Sequence, residues 1–320
     1  MAIIGNDVEQ ATQLLKNGEV VGIPTETVYG LAGNALNVDA VSKIFEVKNR
    51  PTFDPLIIHT SSIERFSDYV TDIPDKAYAL AERFMPGPLT LLLSRKDIIP
   101  DLVTSGLDKV AIRIPQHPLT LELLKNIDFP LAAPSANPFG YISPTSALHV
   151  DKQLGGQIKY ILDGGDCQVG IESTIVGFVG NEVIIYRKGG LSVEAIEEVV
   201  GEVKILEHSS SNPEAPGMLK SHYAPQKKLL LSSELTAGGE VPVNRIGFLG
   251  FKNYHSSIPM ENQLLLSKEG DFREAAKNLF AFMRQMDAME HIDIIYAELL
   301  PEIDLGRAIN DRIKRAASED

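Results

Sequence analysis

Two stretches of this chain concentrate side chains able to do chemistry on a small anion. In the first, the apolar run 20–23 stops at Pro24. Thr25, Glu26, Thr27 and Tyr29 then place four hydrogen-bonding side chains within five positions. One predicted helix later come Lys48, Arg50 and Asp54, after which Pro55 opens a second apolar run that ends on His59. Two strands thus end in polar groups with two cations between them, which suits an anionic ligand at the carboxyl ends of strands in an α/β sheet. The second stretch, 134–145, is another polar loop after a short strand and carries Ser135 and Ser143. Arg113 is the outlier of an apolar strand over 110–114, so it is either paired with a carboxylate or aimed at a ligand. Arg187 ends a further strand. Singly, each cation reads as a solvated surface charge; together, Lys48, Arg50, Arg113 and Arg187 could match a polyanion.

Other chemistries are poorly supported. Neither GxxxxGK(S/T) nor GxGxxG follows a strand, so any nucleotide must be held without the usual phosphate loops. Ser135, Ser143 and Ser173 lack a GxSxG elbow and read as loop hydroxyls that satisfy backbone or ligand. His59, a lone imidazole at a strand end, reads as a hydrogen-bonding residue before a base or metal ligand. Asp163 and Asp166 flank two glycines and read as a turn, and Cys167 has no activating cation beside it.

The elements that must position these residues follow from periodicity. Helices are expected over 7–16, 40–47 (with Asp39 as N-cap), 74–84, 117–125 and 146–154, and strands over 89–93, 110–114, 130–133, 158–162, 173–178 and 182–187. Alternating strands and helices, with hairpin-like neighbours late, imply a mixed α/β sheet with helices packed on it. Composition changes at Glu207: residues 207–226 lack an apolar period and read as a linker, although His222, Tyr223 and neighbouring polar groups exceed what a spacer requires. A smaller βα pattern restarts at Lys227, with strands over 228–231, 245–251 and 292–298 and helices over 272–289 and 305–316. The expected division is therefore 1–206, a linker over 207–226, and a small open parallel α/β domain over 227–320.

The formal net charge of −13 argues against bulk electrostatic wrapping of nucleic acid, while leaving room for a local basic cleft. One cysteine among 320 residues cannot form an internal disulfide, and there is no Cys/His spacing for structural zinc. With no signal-peptide pattern and no apolar run near 18 residues, the expected location is the cytoplasm, without a membrane.

The strings PTETVYGL (24–31), KNRP (48–51) with PLIIH (55–59), VAIRIP (110–115), PSAN (134–137) with SPT (143–145), and STIV (173–176) resemble the YrdC-like family in order and spacing. The HYAP string in the linker and the extra α/β domain resemble the family's two-domain threonylcarbamoyl-adenylate synthases. The resemblance implies a YrdC-like twisted mixed sheet with a Rossmann-like C-terminal domain. It also implies formation of threonylcarbamoyl-AMP and pyrophosphate from L-threonine, bicarbonate and ATP with Mg²⁺. Downstream tRNA threonylcarbamoyl-transferase proteins would use the product to modify the adenosine beside the anticodon. Residue by residue, it places Thr27, His59, Arg113, Ala133 and Ser173 around threonine. Arg50, Asp54, Ser135, Ser143 and Arg187 fall around ATP, with Lys48 as a further phosphate partner, Tyr223 reaching in from the linker, and 208–225 acting as a lid. The chain departs from the family's common residues at Asn49, Lys109 and Gly177, where Gly, Thr and an acid are frequent. Two rival functions are an RNA- or ribosome-binding module and a carbamoyl-transfer domain of hydrogenase-maturation type. The first would want an extended basic patch, and the second Cys-rich segments.

Overall fold

The computed structural model describes residues 1–206, 215, 218, 222–235 and 241–318. Its larger sheet has eleven strands. In spatial order these are Ile3–Gly5, Tyr160–Leu162, Val21–Ile23, Gly30–Asn34, Leu131–Ala132, Ile57–His59, Lys109–Arg113, Leu89–Ser94, Thr174–Val179, Glu182–Arg187 and Lys204–Ile205. Parallel and antiparallel pairs mix along it. Ile57–His59 runs parallel to Lys109–Arg113, Leu89–Ser94 antiparallel to Lys109–Arg113, and Thr174–Val179 parallel to Leu89–Ser94. As a result the carboxyl ends of Ile57–His59, Lys109–Arg113 and Glu182–Arg187 share one rim of the sheet with the amino ends of Leu89–Ser94 and Thr174–Val179. The sequence pointed to carboxyl ends alone; the antiparallel neighbours add the others.

Local chemistry explains the helices that carry the site. Val38–Lys48 begins at Asn37, whose side chain accepts from the amides of Asp39 and Ala40. The cap is thus two residues earlier than the expected Asp39, which sits in the first turn where its charge meets the positive end of the helix dipole. The helix ends on Asn49 in the left-handed region (φ 51°), a position that favours glycine and next asparagine. Val41, Ile44 and Phe45 face the core and bring buried Lys48 round with them.

The strand Gly30–Asn34 is a correction, since no strand was expected over these residues. Its GLAGN sequence has no β-branched residue, yet it pairs antiparallel with Val21–Ile23 and Leu131–Ala132. Its glycines fit because neighbours come close: a Cβ on Gly33 would lie 3.2 Å from Ile44 Cδ1, and one on Gly30 3.2 Å from Ala133 Cβ.

A second, four-stranded sheet is wholly parallel, in the order Lys228–Leu231, Ile294–Ala297, Ile246–Gly250, Gln263–Leu265. Its helices Phe272–Asp287 and Gly306–Ala316 bury apolar faces against it and turn polar residues toward the larger sheet. Arg284 Nε donates to Ser143 O at 3.2 Å, and its other nitrogen reaches Ile142 O. Tyr141 Oη donates to Asp287 at 2.5 Å, and Arg307 pairs with Glu194 at 2.7 Å. The fold is therefore mixed α/β with a smaller parallel α/β unit clasped to one side. No helix among the described residues is long and apolar enough to cross a membrane.

Candidate functional site

One cavity, about 600 Å³ counting the open solvent at its mouth, opens from this rim across the sheet face toward Gly30, Pro55 and Ser135. It gathers Thr27, Arg50, His59, Arg113, Ala133, Ser135, Ser173, Arg187 and Tyr223, nine of the residues singled out from the sequence. The other three, Lys48, Asp54 and Ser143, stand just behind its lining.

His59 and Arg113 face the cavity together because their strands are in register at those two residues. Arg113 is paired with a carboxylate, Glu26 at 2.6 Å, and it also lines the cavity. Its guanidinium further donates to Thr27 Oγ1 at 3.0 Å and to Gly87 O at 3.1 Å. Three of its five N–H groups are thus engaged among the described residues. Thr25 fixes Thr27 in turn, its Oγ1 lying 2.7 Å from that of Thr27. Burial, and then the charge of Arg113, push the His59 imidazole down to about 3, so it is neutral at physiological pH. Its Nδ1 is buried with no hydrogen-bond partner among the described residues. Such an atom is costly unless something fills the space beside it.

A second wall is built on Ser135 and two arginines, with Ser173 where it meets the first. Arg187 donates to Ser173 O and Oγ at 3.0 and 3.1 Å, and Ser173 Oγ lies 2.7 Å from Thr90 Oγ1. Burial lowers the Arg187 guanidinium to about 10, which leaves it charged. Arg50 is held by Asp54 at 2.9 Å and by the carbonyls of Asp54 and Pro55. Lys48 donates to Ser135 O at 2.6 Å and to Asn137 O at 2.5 Å, so its ammonium shapes the serine loop from behind rather than projecting into the cavity. Burial, and then the neighbouring Arg50, push its pKa well below the usual lysine value.

Sequence reasoning did not assign four contributors. Glu26 stood in the polar turn but was not matched to Arg113. Glu172 lines the cavity, takes the Ser143 hydroxyl at 2.6 Å on one oxygen, and takes Arg312 on the other. Burial pushes its carboxyl up, but Arg312, Arg187 and Ser143 outweigh that and hold it below the ordinary value. His222 lines the cavity beside Tyr223, whose backbone is left-handed at φ 70°. Arg312 and Arg315 lie 5.6 and 5.0 Å over the Tyr223 ring. HYAP was a visible signal for His222, whereas nothing local marks Glu172 and Arg312 as partners. The expected linker and lid, 207–226, fall largely outside the described residues; Ala215 and Met218 are buried against Tyr186 and Ile175.

The three departures stay off the lining. Asn49 fills the left-handed helix stop, Lys109 donates to Phe178 O at 3.4 Å, and a Cβ on Gly177 would lie 2.7 Å from the Tyr186 ring. Among the described residues no cluster of three or more His, Cys, Asp or Glu could hold a metal, and the carboxylates nearest the cavity are each taken by an arginine. Cys167 is free and buried.

A mixed sheet with a polyanion-ready cavity at its rim, closed by a second α/β unit, has close counterparts. The family model described as Telomere recombination, which joins Sua5, YciO and YrdC, matches residues 13–189. That described as Threonylcarbamoyl-AMP synthase, C-terminal domain, matches 191–318. The threonylcarbamoyl-AMP synthase of Pyrococcus abyssi is 39% identical over 323 residues, covering 96% of this chain and 93% of its own. That of Bacillus subtilis is 39% identical over 325 residues, covering 97% and 92%. The crystal structure of P. abyssi Sua5 complexed with L-threonine superposes with a TM-score of 0.91 at 37% identity, covering 99% of this chain and 97% of that one. The chain belongs to this family, in its two-domain branch of threonylcarbamoyl-AMP synthases, ATP-dependent nucleotidyltransferases of tRNA modification.

Proposed function

We propose that the rim cavity joins L-threonine, bicarbonate and ATP into L-threonylcarbamoyl-AMP and pyrophosphate. This is the first step toward threonylcarbamoyladenosine in tRNA, and downstream tRNA threonylcarbamoyl-transferase proteins consume the product. The observation that carries the reading is that the Arg113–His59 wall, fit for an amino acid, and the Arg50–Ser135–Arg187 wall, fit for phosphates, enclose the same space.

The N–H groups of Arg113 that no described residue takes fork onto the threonine carboxylate. Thr27 and the unpartnered Nδ1 of His59 meet its hydroxyl or amine, Ala133 leaves room for its methyl, and Ser173 closes that end. Arg50, Ser135, Arg187 and Tyr223 take the nucleotide, with Asp54 orienting Arg50, and Lys48 and Ser143 supporting the wall. ATP enters as its magnesium complex. Because the nearby carboxylates are already paired, the cation would rest on phosphate oxygens and water, as Mg²⁺ commonly does.

Bicarbonate loses hydroxide to give CO₂. The threonine nitrogen attacks its carbon and sheds a proton, and the carbamate oxygen then attacks the α-phosphorus as pyrophosphate leaves. No side chain forms a covalent bond. The protein supplies position and compensating charge, and arginines already fixed in place do so without reorganising during the reaction. A carbamate reverts in water, so burial of the walls and the seating of His222 and Tyr223 over the cavity serve to exclude it. Pyrophosphate release should require both L-threonine and bicarbonate. Equal release with serine would break the specificity assigned to the His59 wall, and release without any amino acid would overturn the reading.

A further inference from the structure

Glu172 is a carboxylate on the wall of a cavity otherwise furnished for a polyanion, and it is held from outside the catalytic sheet. One of its oxygens accepts the Ser143 hydroxyl at 2.6 Å; the other accepts two N–H groups of Arg312, both at 3.2 Å. Arg312 lies 140 residues away in sequence, on the helix Gly306–Ala316 of the second α/β unit, and is fully buried. Its remaining nitrogen donates to Lys188 O, to Ala308 O and to Asp311. A buried carboxylate and a buried guanidinium are each very costly alone, so the pairing stabilises both, and Glu172, whose direct ion pair is Arg312, depends on it most. With Arg312 removed, Glu172 would either take a proton or swing its charge toward the incoming phosphates. In the first case the Ser143 hydroxyl would keep only a neutral acceptor, and in the second it would lose its acceptor.

Resting on the reading that this cavity binds ATP, we propose that Arg312 is a positioning residue for the nucleotide: through Glu172, the C-terminal unit sets the Ser143 side of the ATP wall and neutralises it against the triphosphate. The second unit is then part of the site's electrostatics and not only an anchor for the linker. It also supplies Arg315 and Phe280 against Tyr223, at 5.0 and 5.4 Å.

The test compares Arg312→Met, Glu172→Gln and the double variant with the wild-type full chain, by threonine-dependent pyrophosphate formation and by thermal melting. Either single variant should raise KM for ATP about tenfold or more, the scale of one lost charged hydrogen bond, while KM for threonine stays within about twofold. The double variant should be no worse than the worse single one, because both break the same link. A pair that merely staples two domains would lower melting temperature and scale all activity with the folded fraction, leaving both KM values alone; that result overturns the proposal. Should Arg312→Met not fold, Glu172→Gln, which keeps the side chain's shape but removes the charge of the link to Arg312, decides alone by the same KM split. Wild-type turnover that ignores threonine would instead remove the underlying reading.

Discussion

His59 and Arg113 are opposite each other on adjacent parallel strands, and the arginine's charge, added to burial, keeps the imidazole neutral. His117, His149 and His222 are also shifted downward, chiefly by burial. The unfolded chain would not hold them neutral, so below about pH 6.5 it takes up more protons than the folded chain. Stability is therefore fully present above the ordinary histidine pKa and is lost as pH falls. The two fully buried rings, His59 and His222, each remove on the order of 1 kcal/mol per pH unit. Denaturant unfolding at pH 7.5, 6 and 5 should show this fall, with a shallower slope in His59→Gln. Equal slopes would contradict the assignment.

Arg113→Lys keeps the charge but loses the fork that reaches Glu26, Thr27 and the threonine carboxylate. KM for threonine should rise by roughly ten- to a hundredfold with KM for ATP little changed, as expected when a charged hydrogen-bond pair is lost. Steady-state kinetics varying each substrate checks it, and parallel rises in both would count against the assignment of Arg113 to the amino acid.

Lys48→Met should act on stability first. Its ammonium donates to the carbonyls of Ser135 and Asn137; stripping it leaves Ser135 O with the Asn137 N–H at 3.1 Å but Asn137 O as a buried acceptor without its donor, at about 1–3 kcal/mol. Urea unfolding should show that loss, with weaker ATP binding following as the serine loop slackens. Weaker ATP binding at unchanged stability would instead place the ammonium directly on phosphate.

Asn49 occupies a left-handed helix stop between Lys48 and Arg50. Asn49→Gly should leave stability equal or slightly higher, whereas Asn49→Ala should cost about 1 kcal/mol because its Cβ is strained there. Thermal melts of the two variants decide, and no difference between them would contradict the backbone argument.

Much of this architecture was legible because apolar runs ending in polar residues mark where strands reach the rim. His59 and Arg187 were found that way, and Arg113 as the one cation in an otherwise apolar strand. Gly30–Asn34 was not, since a strand of Gly, Leu, Ala and Asn carries no β signature and is made a strand by its neighbours. The order of the eleven strands was equally hidden, because pairing in a mixed sheet is set by packing and not by sequence adjacency. The site was legible where cations and hydroxyls cluster locally. It was illegible at Glu172 and Arg312, whose meeting depends on how two units dock.

The most direct test of one cavity holding both substrates is to follow the carbon. With ¹³C-bicarbonate, L-threonine and Mg·ATP, mass spectrometry should find the label in the carbamate of a threonyl adenylate, with pyrophosphate formed in equal amount. Label absent from any adenylate, with ATP split only to ADP and phosphate, would contradict the account.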